Sequence, residues 1–404
     1  MKALTINVNI PRFIALQVMG RLNRRSYYDS IFSTVKLADV PEPKLPNEDW
    51  LKLKVKLCGF CGSDLSLLCC RESPMAQPFT SFPCIFGHEV SAEVVQTGSR
   101  VQGFTRGDRV TLSPSLTCEP RGISPVCPSC ASGNVAGCER CADGDFSPGM
   151  FSGICRDVGG GFAEYMVAHK SQVFRVPDAV SNEAATLTEP LAVGLQAVLD
   201  NRPKDSDKVL VIGGGVIGAM IVKAVRGLGI GCSITVAEPS SFSAEYVKKS
   251  GADHIVSGNI IDAAERITGA KAYKTAIGYR FVQGGFDRVF DTVGHSPTLQ
   301  TALIVTRSKG LASLVGIAHR VSFDPTPLWL KLLTVKGCYA SGYHDTENGR
   351  VHTFDLALGL MEKKKVVVED MITHTFTIEG YKELIATNMN KVQHRAIKTA
   401  IRFD

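Results

Sequence analysis

No stretch of this sequence is long and apolar enough to cross a bilayer. The longest strongly apolar run, Val209 to Val222, lies between Lys208 and Lys223 and is interrupted by glycines, so it reads as a buried strand and helix rather than a membrane span. Charge of one sign is also scarce. The formal net charge of +6 is spread over 404 residues, with no aromatic-basic RNA motif, which argues against nucleic-acid binding and still allows anionic ligands. Met1-Lys2-Ala3-Leu4-Thr5 lacks a sustained apolar signal core and a small-residue cleavage site, so cytoplasmic residence is expected. No internal repeat or disordered tail stands out.

What is present is an ordinary globular composition, 44 % hydrophobic and 21 % charged, on a chain long enough for two domains with separate cores. The 38 glycines point to many tight turns. Thirteen cysteines, an odd number concentrated between Cys58 and Cys155, suggest metal ligands and free thiols rather than a disulfide framework.

From Val35 to Tyr165 short strands alternate with turns. Leu51 to Leu57 alternates apolar residues with lysine, and Glu89 to Val95 and Arg109 to Leu112 are rich in strand formers. After Glu183 the pattern becomes helices alternating with apolar strands, at Val209 to Ile212, Ser233 to Ala237, Arg288 to Phe290 and Ala312 to Val315, which implies a parallel sheet. Beyond about Lys336 that rhythm stops, and Phe354 to Met361 with Ile372 to Phe376 suggests a return to the first domain. Near the start, Pro11 can open a helix in which Phe13, Ile14, Leu16, Met19 and Leu22 are spaced for one apolar face, with Arg12, Arg21, Arg24 and Arg25 around it. Its expected role is an extra packing element or an oligomer contact, ahead of a membrane-surface role.

Two constellations carry chemistry. Cys61-Gly-Ser63-Asp64, then Gly87-His88-Glu89, then Glu189-Pro-Leu place a thiolate, an imidazole and carboxylates in order, the ligand types of a catalytic Zn²⁺ that keeps one position open. In Gly213-Gly-Gly215-Val216-Ile217-Gly218 an apolar strand runs into a glycine turn and a helix. This is the dinucleotide fingerprint in its proper context: the glycines permit the turn, the approach of a pyrophosphate and close helix packing. Glu238 follows the next strand, 25 positions after Gly213. A carboxylate there accepts from the adenosine ribose and repels a 2′-phosphate, so NAD is favoured over NADP.

Together with Gly161-Phe-Ala-Glu164-Tyr165 and Val315-Gly316, these motifs resemble the zinc-dependent medium-chain alcohol dehydrogenase family, especially its threonine, sorbitol and glucose dehydrogenase-like branch. The resemblance spans nearly the whole chain. It implies a GroES-like, mainly β catalytic domain over 1–190 and 337–404, joined to a Rossmann dinucleotide-binding domain over 191–336. Substrate zinc would lie in the intervening cleft with nicotinamide beside it. It also implies Cys61, His88 and Glu189 as zinc ligands, Glu89 as a carboxylate able to exchange onto the metal, and Asp64 as the partner that orients His88. Val293, Val315 and Gly316 would line the nicotinamide, and Lys398 matches a basic cofactor contact. Glu164 and Tyr165 read as structural.

Independently of the family, a Ser63 hydroxyl beside the substrate oxygen can relay its proton. Ser66 stands where many relatives carry histidine, so the outer proton route would use cofactor ribose or water. A second cysteine group, Cys118, Cys127, Cys130, Cys138 and Cys141, can supply four thiolates to a structural zinc in a lobe at about 115–142. Cys127, Cys130 and Cys138 match the last three cysteines of the family's lobe, but Ser124 occupies the first position. Cys118 is expected to replace it with Glu119 to Val126 looping out, and Cys141 competes as the fourth ligand.

The expected activity is NAD-dependent oxidation of a secondary alcohol (a polyol, sugar or amino alcohol) in a homodimer or homotetramer. The alternatives are an NADP-dependent carbonyl reductase and a nucleotide-binding, non-catalytic relative.

Overall fold

Alternation of apolar and lysine residues builds the longest strand of the chain, Trp50–Phe60. Leu51, Leu53, Val55 and Leu57 are buried, while Lys52 and Lys56 reach outward to Glu42 and Glu93, as a period of two requires. In this computed structural model, which describes residues 1–316, 320–346 and 349–403, that strand is the spine of one of two units. The first unit comprises Met1–Glu189 and Ser341–Asp404, and the second Pro190–Ala340.

The first unit is mainly β. Its larger sheet runs Ile372–Phe376, Lys398–Arg402, Trp50–Phe60, Glu89–Thr97, Arg109–Leu112, Val173–Arg175, with Tyr165–His169 also paired to Trp50–Phe60. A smaller sheet joins Val35–Asp39, Lys2–Ile6 and Cys84–Ile85. Between its first two strands stands the Ile10–Leu22 helix, capped by Asn9 with Pro11 in its first turn. The helix forms as expected, but the expected single face divides. Leu16 is buried whereas Ile14 and Leu22 keep 60 and 84 % exposure, because the inner contact is made through Leu16 and Gly20, against whose backbone the Tyr27 ring packs.

The second unit is α/β, with a fully parallel six-stranded sheet. The strand order is His254–Val256, Ser233–Ala237, Lys208–Ile212, Phe286–Asp291, Thr306–Leu314, Thr334–Gly337. Val209, Leu210 and Val211 have no exposed surface, as expected of a strand covered on both faces. The order reverses between Lys208–Ile212 and Phe286–Asp291, and the crevice at the carboxyl ends of such strands is where open sheets of this kind bind ligands.

Candidate active site and metal centres

Strand register assembles the first donor cluster. Gly59 pairs with Glu89 across antiparallel strands, so Cys61, just beyond Gly59, and His88, just before Glu89, come together at one end of the sheet. Ligand atoms of Cys61, His88 and Glu89 all lie within 4.8 Å of one another. Gly87 turns with φ +93°, and a Cβ there would lie 2.6 Å from the Phe162 ring and 2.8 Å from Cys58 Sγ. Only glycine fits both that conformation and that packing.

Cys61 is the N-cap of the Gly62–Leu68 helix, and its backbone N–H donates to Asp64 Oδ2 at 2.8 Å. The other Asp64 oxygen stands 3.4 Å from His88 Nδ1, and Ser63 Oγ stands 3.4 Å from Nε2. A proton on Nδ1 satisfies Asp64 and leaves the Nε2 lone pair for a metal or for the Ser63 hydroxyl. Burial opposes charge on His88, yet the Asp64 carboxylate and Cys61 thiol raise its pKa well above the ordinary value.

Glu189 lies in the first turn of the Thr188–Asp200 helix and outside the 4.8 Å cluster. Its carboxyl is pushed up to about 7, chiefly by burial, with His88 opposing and Glu89 adding to the rise. It is thus within electrostatic reach of His88 and Glu89.

Lys398, expected as a cofactor contact, lies buried in the first unit. Its Nζ donates to the Glu89 carboxylate, and the paired side chains keep 2 and 1 % exposure. Register explains the pair: Thr399 pairs with Phe60 beside the Gly59–Glu89 pair, and a buried carboxylate requires a counter-charge. Lys391, which the sequence did not single out, donates from Nζ to Ile397 O at 2.9 Å. Burial, assisted by the charge of Lys398, pushes its amine down to about 8. Glu164 accepts from the Lys2 backbone at 2.9 Å and Tyr165 stacks on Lys52, both structural contacts.

The second cluster comprises Cys118, Cys127, Cys130 and Cys138, with all four sulfurs within 4.8 Å of one another and Cys141 outside. Backbone N–H groups of Cys127, Cys130 and Glu139 point at Cys118 or Cys127 sulfurs at 3.3–3.5 Å, an arrangement that favours thiolates. Arg121, missed in the sequence, holds the adjoining loop. Fully buried, it donates to the carbonyls of Asp143, Phe146, Ser147 and Gly149.

In the second unit Gly213 has φ +97°, and a Cβ on Gly218 would lie 1.9 Å from Gly213 O. Gly215 caps the Val216–Gly227 helix, so Val216 and Ile217 form its first turn. Glu238 accepts from Gly214 N and Ser240 N, each at 2.7 Å. Across the strand reversal, Asp291 Oδ1 accepts from Val293 N and Gly294 N, and its carbonyl accepts from Val315 N and Gly316 N. A Cβ on Gly316 would lie 2.5 Å from the Val293 carbonyl carbon, so the sequence-selected Val293, Val315 and Gly316 meet at the end of the sheet.

Family models describe the chain in two parts, an alcohol dehydrogenase GroES-like domain over residues 47–178 and a zinc-binding dehydrogenase over residues 216–355. Sorbitol dehydrogenase of Bacillus subtilis strain 168 is 31 % identical over 291 residues, 70 % of this chain and 72 % of the relative. D-arabinitol dehydrogenase 1 of Uromyces fabae is 28 % identical over 378 residues, 92 % of this chain and 95 % of the relative. Among solved structures, 2R,3R-butanediol dehydrogenase from Bacillus subtilis superposes with a TM-score of 0.71 at 26 % identity, covering 92 % of this chain and 96 % of that one. No helix is long and apolar enough to cross a membrane among the described residues. With its GroES-like and Rossmann domains, the chain belongs to the zinc-dependent medium-chain alcohol dehydrogenases, in their sorbitol and polyol branch, enzymes that act on small-molecule alcohols with zinc and a nicotinamide cofactor.

Proposed function

We propose that this chain oxidises a secondary alcohol of polyol, sugar or amino-alcohol type to the ketone, with NAD as hydride acceptor. The observation that carries the proposal is the Cys61, His88 and Glu89 donor cluster with His88 oriented by Asp64. Thiol, imidazole and carboxylate are a donor set that fits zinc. Cys61, His88 and Glu189 would hold the ion, and Glu89 would be an exchange ligand when released from Lys398. Zinc supplies Lewis acidity to an alcohol oxygen, and NAD takes up the hydride.

The remaining work falls to side chains. Asp64 fixes the His88 tautomer. Ser63, beside Nε2, takes the substrate hydroxyl proton, and with serine at position 66 that proton leaves through the cofactor ribose or water. Gly213, Gly215 and Gly218, with the amides of Val216 and Ile217, would receive the pyrophosphate. Glu238 would bind the adenosine ribose and exclude a 2′-phosphate, while Val293, Val315 and Gly316 would flank the nicotinamide. Cys118, Cys127, Cys130 and Cys138 would close around a structural zinc.

The Thr334–Gly337 strand, exposed throughout at the edge of the parallel sheet, supports a homodimer built by edge pairing, open to further association as a tetramer. All thirteen cysteines are free thiols, which supports a reducing, cytoplasmic setting. The test is zinc-loaded protein with NAD or NADP and a panel of secondary alcohols, polyols and 3-hydroxy amino acids, followed by nicotinamide absorbance. Turnover with NAD that is lost in Cys61→Ala is expected. Turnover confined to NADP and carbonyl substrates would favour the reductase, and cofactor binding without turnover across the panel would favour a non-catalytic relative.

A further inference from the structure

The Ile10–Leu22 helix carries an aliphatic row that the other described residues leave uncovered. Its inner side is occupied: Leu16 is fully buried, a Cβ on Gly20 would lie 2.2 Å from the Tyr27 ring, and Gln17 Nε2 donates to Cys70 O at 3.3 Å. On the other side Ile10, Ile14, Val18 and Leu22 follow at intervals of four, one above the next, and keep 75, 60, 61 and 84 % exposure. A helix apolar on both sides is ordinarily covered on both.

Charge distinguishes among covers. The first 28 residues contain no aspartate or glutamate but carry Lys2, Arg12, Arg21, Arg24 and Arg25. At 3.6 residues per turn Arg21 falls, in angle, between Ile10 and Ile14, and Arg24 and Arg25 follow directly in the exposed start of the Arg24–Tyr27 turn. None of these three arginines forms a salt bridge among the described residues, where the neighbouring carboxylate Asp29 is bound by Lys382. A second copy of this segment would offer these cations no carboxylate, since none lies in its first 28 residues. An aliphatic row ending in arginines matches instead the boundary between acyl chains and anionic headgroups.

We propose that the Ile10–Leu22 helix docks this enzyme peripherally on anionic lipid bilayers. Ile10, Ile14, Val18 and Leu22 enter the acyl boundary, and Arg21, Arg24 and Arg25 meet the headgroup charges. One short helix is a single weak anchor, so the attachment is reversible and sensitive to salt. No residue of the metal clusters takes part.

The test is co-sedimentation of the full, zinc-loaded chain with sucrose-loaded vesicles of phosphatidylcholine alone or with about 30 % phosphatidylserine. Binding at least roughly tenfold stronger to the anionic vesicles is expected, falling as salt rises from about 0.05 to about 0.5 M. Arg21→Glu/Arg24→Glu/Arg25→Glu should abolish the preference for anionic vesicles, and Ile14→Ser/Val18→Ser should lower binding to them without changing zinc content or thermal melting. Equal binding to both vesicle types, or binding that survives both variants, would overturn the proposal. So would absence of vesicle binding, and a change of oligomeric state in Ile14→Ser/Val18→Ser would then assign the row to a protein contact.

Discussion

Lys398 Nζ and the Glu89 carboxylate form an ion pair almost wholly removed from solvent, on strands that flank the one leading to Cys61. Removing one partner leaves the other charged and buried, a loss of about 3–5 kcal/mol. Lys398→Met is therefore expected to unfold at markedly lower urea concentration than the parent. The double variant Lys398→Met/Glu89→Gln should recover much of that loss, because it buries no unpaired charge. Equal losses in the single and double variants would mean that the pair contributes through packing alone.

The cysteine lobe makes a separate prediction about metal content. Cys127 receives backbone N–H groups from Cys130 and Glu139 and sits in the four-sulfur cluster, whereas Cys141 does not. Cys127→Ser should lower zinc by about one ion per chain and depress the melting temperature, because a closed four-ligand site contributes directly to folding. Cys141→Ser should leave zinc unchanged. Elemental analysis after gel filtration distinguishes the two, and zinc loss in Cys141→Ser would reassign the fourth ligand.

Local pattern made much of this molecule readable. Alternating leucine and lysine announced the Trp50–Phe60 strand, and the apolar run into Gly213 announced a strand, turn and helix at the sheet reversal. Long-range pairing was harder to read. Lys398 lies 309 residues from Glu89, and nothing near either residue signals that the amine belongs to the carboxylate. Spacing alone could not choose between Cys118 and Cys141, since the choice depends on a loop folded around the buried Arg121 guanidinium. The N-terminal helix was legible as a helix, but its inner face depended on the Tyr27 ring packed at Gly20, a contact without a periodic signature.

Lys391 makes stability depend on pH in the alkaline range. Its amine is pushed from an ordinary 10.5 down to about 8 by burial and by Lys398. Between these values the unfolded chain holds the extra proton, so this residue's contribution to stability rises with pH across that window, by at most about 1.4 kcal/mol per unit. Below about 8 the cost of burying the amine is fully present. The stability of the parent minus that of Lys391→Met, followed by urea denaturation, should therefore increase from pH 8 towards 10.5. A flat difference would show that the amine ionises as it does in water.

Cofactor choice should reside in the charge of Glu238. Its two carboxylate oxygens already receive Gly214 N and Ser240 N at 2.7 Å, which fixes the side chain against the glycine turn where an adenosine ribose would lie. Glu238→Ala would remove these bonds as well as the charge and would loosen the turn for either cofactor, so the more informative change is Glu238→Gln. Glutamine keeps a side-chain acceptor for the turn but no longer repels a 2′-phosphate. It also replaces a charge-assisted bond to the ribose hydroxyls with a neutral one, a difference of about 1.4 kcal/mol, or roughly tenfold. The ratio of kcat/KM for NADP to that for NAD is therefore expected to rise by roughly tenfold or more. If both values fall together and the ratio holds, Glu238 braces the turn without reading the ribose.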